Sequence, residues 1–173
     1  MKNKIANRNL PQLFLRARAS LMSHFRPTLS HFGLTDQQWR ILRLLDEHAQ
    51  LEPRELCEMC QILSPSMAGV LARMEEIDLI SRSPMAGDQR RVLVSLSGHG
   101  IQLMADIAPL IDKQYQHIEK SFGKQAIGDL ILALEGFITA GEGTVPQVEL
   151  GERTPLTKVR AKTLPRHDNG RKK

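Results

Sequence analysis

The chain lacks most of what marks an enzyme, a secreted domain or a membrane protein. It has two cysteines in 173 residues, too few for a disulfide framework. No run of eighteen apolar residues occurs, so no membrane-spanning helix is expected. The opening stretch MKNKIANRN carries no apolar signal-peptide region, and the expected location is cytoplasmic. There is no Gly-x-Ser-x-Gly, no phosphate loop and no His-Glu-x-x-His, so no catalytic residue, cofactor or enzymatic activity is assigned. Cys57-Glu58-Met59-Cys60 is a CxxC, but a single pair is half a zinc site, and no second pair or His-x-x-x-His follows. No metal is expected; the two thiols share a helix face, leaving burial or a thiol switch as the readings. The histidines, of which His24 and His31 share one helix face, show no further ligand spacing.

A general excess of positive charge is missing too. The net charge is +5, but residues 144–173 hold eight Lys/Arg against three acids and account for all of it. The first 143 residues carry 16 bases and 16 acids. Any affinity for nucleic acid must come from where arginines stand. The tail from Thr144, rich in Pro, Gly and Lys/Arg, is expected to be solvated and unordered; a non-specific phosphate-binding arm is the alternative. With 41% apolar residues, the remaining length suffices for one domain with a core.

What is present centres on Leu63–Ser97. Ser64-Pro65 reads as a helix start with Ser64 as N-cap. Met67, Val70, Leu71 and Met74 then recur at helical spacing, leaving Ser66, Gly69, Arg73 and Glu76 on the opposite side. After Leu79 the pattern changes to two strand-like runs, Leu79–Arg82 and Val92–Leu96, joined by a turn-rich stretch containing Asp88, Arg90 and Arg91. A helix followed by an arginine-tipped hairpin suits duplex DNA, with the helix in the major groove and the arginines at phosphate or minor groove. On shape alone, the same elements could equally complete a small α+β domain.

The flanks are helical. Asn9–Phe32 reads as one long helix with an apolar stripe through Leu10, Phe14, Ala17, Leu21 and Phe25. Thr35 and Gln38 predict a capping box opening a helix to about His48, and Arg54–Gln61 a short helix before the turn at Ile62-Leu63. Ser97 can cap a long helix carrying Met104, Ala108, Ile111, Tyr115, Ile118 and Phe122, with Pro109 expected to bend it or free a carbonyl. Lys124–Ala140 repeats Ile127, Leu130, Ile131, Leu134, Phe137 and Ile138. Such stripes at both ends exceed what one small head can cover, and a homodimer of interleaved terminal helices is inferred.

The run Asp88-Gln89-Arg90-Arg91-Val92-Leu93-Val94-Ser95-Leu96-Ser97 resembles the wing signature of the MarR family of bacterial transcriptional regulators, Asp-x-Arg-x-x-x-Val-x-Leu-Thr/Ser. The resemblance extends over roughly Pro11–Ala140. It implies a mainly α (α+β) fold, a winged helix-turn-helix over about 34–97 within a domain of residues 1–143. Dimerisation helices over about 9–32 and 98–140 flank it. The implied partner is double-stranded DNA bearing an inverted repeat. DNA contacts fall on Ser64, Pro65, Ser66, Gly69 and Arg73 of the reading helix and on the wing, with Arg90 the contact, Asp88 its support and Arg91 a helper. Two departures stand out. Many members carry Thr-Arg where this chain has Ala68-Gly69, so a groove-reading arginine is absent and the operator sequence is not inferable. Asp78 replaces the glycine usual after this helix, a residue that tolerates a left-handed backbone less comfortably.

A second set lies near the junction of the first helix and the head: Arg18, His24, Phe25, Arg26, Trp39 and Arg40. Trp39 is the sole tryptophan. A planar apolar wall beside a guanidinium is what an aromatic acid requires, although a core tryptophan with surface arginines would read the same way. The phrases Met22–Pro27, Gln37–Ile41 and Pro65–Gly69 resemble a branch of the family that represses aromatic catabolic operons. That implies release by a small aromatic carboxylic acid such as 4-hydroxyphenylacetate or homoprotocatechuate. Regulation of hydroxycinnamate or hydroxybenzoate genes, or redox sensing through Cys57 and Cys60, are the alternatives.

Overall fold

A computed structural model of the chain describes residues 7–85, 87–141, 143, 145, 146 and 148–151. Most of the basic tail lies outside the described residues. Helices begin where a side chain occupies their free amides. Asn9 Oδ1 accepts from the Gln12 amide at 3.1 Å and opens α1, Leu10–Ser23. A short α2, Arg26–His31, follows. Thr35 and Gln38 form the expected capping box of α3, Asp36–His48, with bonds of 3.2 and 2.9 Å. Glu52 and Glu55 form a second box at α4, Pro53–Cys60. After α5, Ser64–Glu76, Ser97 Oγ accepts the Gly100 amide at 2.9 Å to cap α6, Gly98–Phe122. Ser97 Oγ also donates to the Asp78 carbonyl. The last helix is α7, Lys124–Gly141.

Three antiparallel strands complete the head: β1, Gln50–Leu51, β2, Ile80–Met85, and β3, Asp88–Leu96, in the order β1-β3-β2. Leu51 stands opposite Val94, and Ile80 opposite Leu96. Buried side chains from every element of the head meet in one core: Ile41, Leu42 and Leu45 of α3, Leu56 of α4, Met67, Leu71 and Met74 of α5, Ile80 and Val94 of the sheet, Ile107 of α6. Each such side chain contributes about 1.5–3 kcal/mol by leaving water. Gly100 is required where α6 passes the entry to β2, since a Cβ there would lie 2.1 Å from the Leu79 carbonyl oxygen. Asp78 does take the left-handed conformation, φ 55°, as does Gln61, φ 53°, at the turn between α4 and α5.

Two boundary expectations are corrected. The stretch 9–32 is two helices rather than one, parted at His24-Phe25. Pro27 is the cause: it has no amide to donate to the Ser23 carbonyl, and its ring crowds that turn. The restart brings Phe25 and Leu29, 3% and 1% exposed, into the head core. Pro109, by contrast, leaves α6 continuous. Ser64 is not the N-cap of α5; Leu63 occupies that position without a side-chain bond, and Ser64 and Pro65 lie in the first turn.

The chain divides into two compact units at Asp129–Leu130. In the first, α1 buries none of its residues and exposes Leu10, Leu13, Leu15 and Leu21. In the second, Leu130, Ile131, Leu132, Phe137 and Ile138 are at least half exposed. Among the described residues no helix is long and apolar enough to cross a membrane.

Candidate nucleic-acid interface

The helix-turn-helix is α4, the left-handed Gln61 turn and α5. Because Met67, Val70, Leu71 and Met74 point into the core, the opposite side of α5 is left to solvent: Ser64, Pro65, Ser66 and Arg73 are exposed and Gly69 is half-buried. Arg73 lies across Gly69, its Nη1 3.7 Å from where a Cβ would stand. The sequence-predicted reading residues therefore share an exposed surface whose first turn offers free amides and hydroxyls to phosphate or base edges.

The wing is β2, the Gly87 turn with φ 87°, and β3. Asp88 Oδ1 accepts the Arg90 amide at 3.0 Å, shaping the tip beneath Arg90. The three wing arginines divide sharply. Arg82 of β2 pairs with Glu75 of α5 at 3.2 Å, and Arg91 of β3 pairs with Glu52. Arg90 has no ion pair among the described residues. Adjacent strand residues point to opposite faces, and here one arginine turns to the protein while its neighbour faces water. Glu52 was not singled out in the sequence; its signal was the Glu52-x-x-Glu55 capping pattern, which marks a fixed carboxylate but not its second partner.

The ligand set predicted around Trp39 is split. Trp39 is buried, with the Arg43 guanidinium over its ring at 5.9 Å. Arg40 turns the other way and donates to the Cys60 carbonyl, its Nε buried with no hydrogen-bond partner among the described residues. Burial and the nearby Arg18 charge together lower the Arg40 pKa. Arg26 is held by Asp36 at 3.3 Å, Phe25 packs against Tyr115 at 4.8 Å between centroids, and exposed His24 meets Phe122 edge-on at 6.5 Å. Helical geometry sets this arrangement: Trp39 and Arg40 are about 100° apart around the helix, whereas Trp39 and Arg43 share a face. A cavity of about 330 Å³ lies between α2 and α6, lined by residues that include Thr28, His31, Lys113, Gln114 and His117. None of the predicted ligand residues lines it.

Cys60 is 2% exposed, and burial pushes its thiol up while the Arg40 charge opposes that shift. A reactive thiolate needs the reverse. No metal-holding cluster of His, Cys, Asp or Glu occurs among the described residues.

The pattern of the MarR family matches residues 34–92, spanning α3 through the wing. The chain is 40% identical over 111 residues to the HTH-type transcriptional regulator FarR of Neisseria gonorrhoeae, an alignment covering 64% of this chain and 76% of that protein. It is 38% identical over 127 residues to the homoprotocatechuate degradative operon repressor of Escherichia coli, covering 73% and 86%. Among solved structures, NadR in complex with 4-hydroxyphenylacetate is 35% identical, with a TM-score of 0.70 over 79% of this chain and 97% of that one. With an exposed reading helix, an arginine-tipped wing and these relatives, the chain belongs to the MarR family of DNA-binding transcriptional regulators.

Proposed function

We propose that the protein acts in the cytoplasm as a homodimeric repressor that holds an inverted-repeat operator through two α5 helices and two Arg90 side chains. A small aromatic acid such as 4-hydroxyphenylacetate or homoprotocatechuate releases it. The observation that carries the reading is the wing: of its three arginines, Arg82 and Arg91 pair with carboxylates while Arg90 has no carboxylate partner among the described residues, at a tip braced by Asp88. Ser64, Pro65, Ser66, Gly69 and Arg73 supply the groove contacts. The exposed apolar residues of α1, and those of α7, give a second copy something to cover.

For the effector, Trp39 supplies a planar wall and Arg43 a fork already placed over it. Arg43 also pairs with Glu47 at 2.8 Å, a bond that an incoming carboxylate would compete for. The relatives support this choice: one is named for repressing homoprotocatechuate degradation and another is solved with 4-hydroxyphenylacetate. Ligand favours a separation of the two heads that no longer fits the operator. Loosening DNA binding ten- to a hundredfold needs about 1.4–2.7 kcal/mol of difference in ligand affinity between the two states.

The test selects a duplex from a random pool with the purified protein. The complex is then titrated in parallel with 4-hydroxyphenylacetate, homoprotocatechuate, a hydroxycinnamate and hydrogen peroxide. Enrichment of an inverted repeat, and release by the first two, is expected. Release by peroxide alone would move control to the cysteines, and release by none would remove the effector from the proposal.

A further inference from the structure

The sheet that carries the wing is anchored unevenly. β1 has two residues and pairs only with Ser95 and Val94. Outward beyond Val94, β3 has strand partners on one side alone among the described residues: Leu93 opposite Ser83, Val92 opposite Pro84. A projecting two-stranded ribbon is marginal by itself in water, and a bulge at Pro84-Met85 loosens the register near its tip. Yet Arg90 must stand at a defined distance from α5 if both are to meet one duplex.

Two ion pairs lie where the backbone ladder stops. Glu52 directly follows β1, and its carboxylate meets Arg91, which stands on β3 beyond the last β1 pairing. Arg82 on β2 meets Glu75 in the final turn of α5. Each strand of the wing is thus tied to a different helix of the helix-turn-helix. Glu52 is itself immobilised, 21% exposed and engaged in the capping box that opens α4. The hydrogen bond and charge of Glu52 raise the Arg91 pKa.

We propose that Arg91 and Arg82 are positioning residues rather than DNA contacts: through Glu52 and Glu75 they fix the wing to the helix-turn-helix and so set where Arg90 stands. This rests on the DNA-binding reading of the same site and names the groups that hold it in shape. The two ties differ in consequence. Arg82–Glu75 links the wing to the reading helix directly, whereas Arg91–Glu52 reaches it through the α4 cap.

The experiment compares Arg91→Ala, Glu52→Gln and the double variant, Glu52→Gln keeping an oxygen for the helix cap while removing the charge. Each single variant is expected to weaken binding to the selected duplex about two- to fivefold per wing, the range for exposed ion pairs. The double variant should be no weaker than either single one. The slope of log affinity against log salt should stay unchanged, because no phosphate contact is lost. Amide exchange of residues 88–93 in the free protein should accelerate in both single variants without a lowered Tm. The proposal is overturned if Arg91→Ala lowers the slope by about 0.9 per subunit while Glu52→Gln leaves affinity unchanged or raises it, since Arg91 would then be a phosphate ligand. If the wild-type protein selects no duplex, the DNA-binding reading fails on its own. The exchange measurement then still decides, and unaltered wing exchange overturns the proposed ties.

Discussion

In α5 the apolar repeat Met67, Val70, Leu71 and Met74 is buried to the last residue, while α1 and α7, built on repeats of the same kind, hold no fully buried residue. The head satisfies its hydrophobic pattern within one chain, and the terminal helices do not. Exposed stripes of large apolar side chains are costly to leave in water. Folding of the head is therefore separable from the proposed assembly of the dimer. The head depends on close packing of its buried core side chains. The terminal helices leave theirs exposed, the faces assigned above to a proposed second copy.

That contrast can be broken at several points. The largest effect is expected from Ile138→Glu in α7: sedimentation should show a monomer, with operator affinity down a hundredfold or more as the two-headed grip is lost. An unchanged dimer would show that α7 is not at the interface. Leu42→Ala in the head should cost about 2–5 kcal/mol in denaturant unfolding, and Gly100→Ala about 1–3 kcal/mol through collision with the Leu79 carbonyl. Either being neutral would mean that the head is less tightly packed than the contacts imply. Arg90→Ala should leave stability and dimerisation intact, weaken binding to every duplex and reduce the salt slope by about 0.9 per subunit. For the effector, fluorescence of Trp39, the sole tryptophan, should report 4-hydroxyphenylacetate binding weakened roughly tenfold by Arg43→Ala, about one charge-assisted hydrogen bond. Arg40→Ala should change it less, and the reverse order would return the fork to Arg40. The smallest effect concerns the thiols: mass spectrometry should find Cys57 alkylated before Cys60, whose burial both shields it and keeps it protonated.

Local chemistry made much of the molecule legible. Thr35 with Gln38, Ser97 before α6 and Asp78 after α5 are short-range signals, and each does what its side chain allows. In the wing, Asp88 accepts the backbone amide of Arg90, a local contact between neighbours in the motif. What escaped depends on distances along the chain or on rotation about a helix. The Arg91–Glu52 pair joins residues 39 positions apart, and no local pattern announces it. Pairing Trp39 with Arg40 followed their adjacency in sequence, whereas the helix sets Arg43 over the ring. Proline was ambiguous for a related reason: Pro27 stands in the first turn of a new helix, where its missing amide parts α2 from α1, and Pro109 sits in a helix that continues regardless.

The mass and sequence of the complex formed with a random duplex pool test the two-headed grip most directly. Two chains per duplex are expected, on an enriched inverted repeat whose half-site centres lie about 34 Å, one helical turn, apart. One chain per duplex, or no preference for an inverted repeat over random sequence at physiological salt, would contradict it.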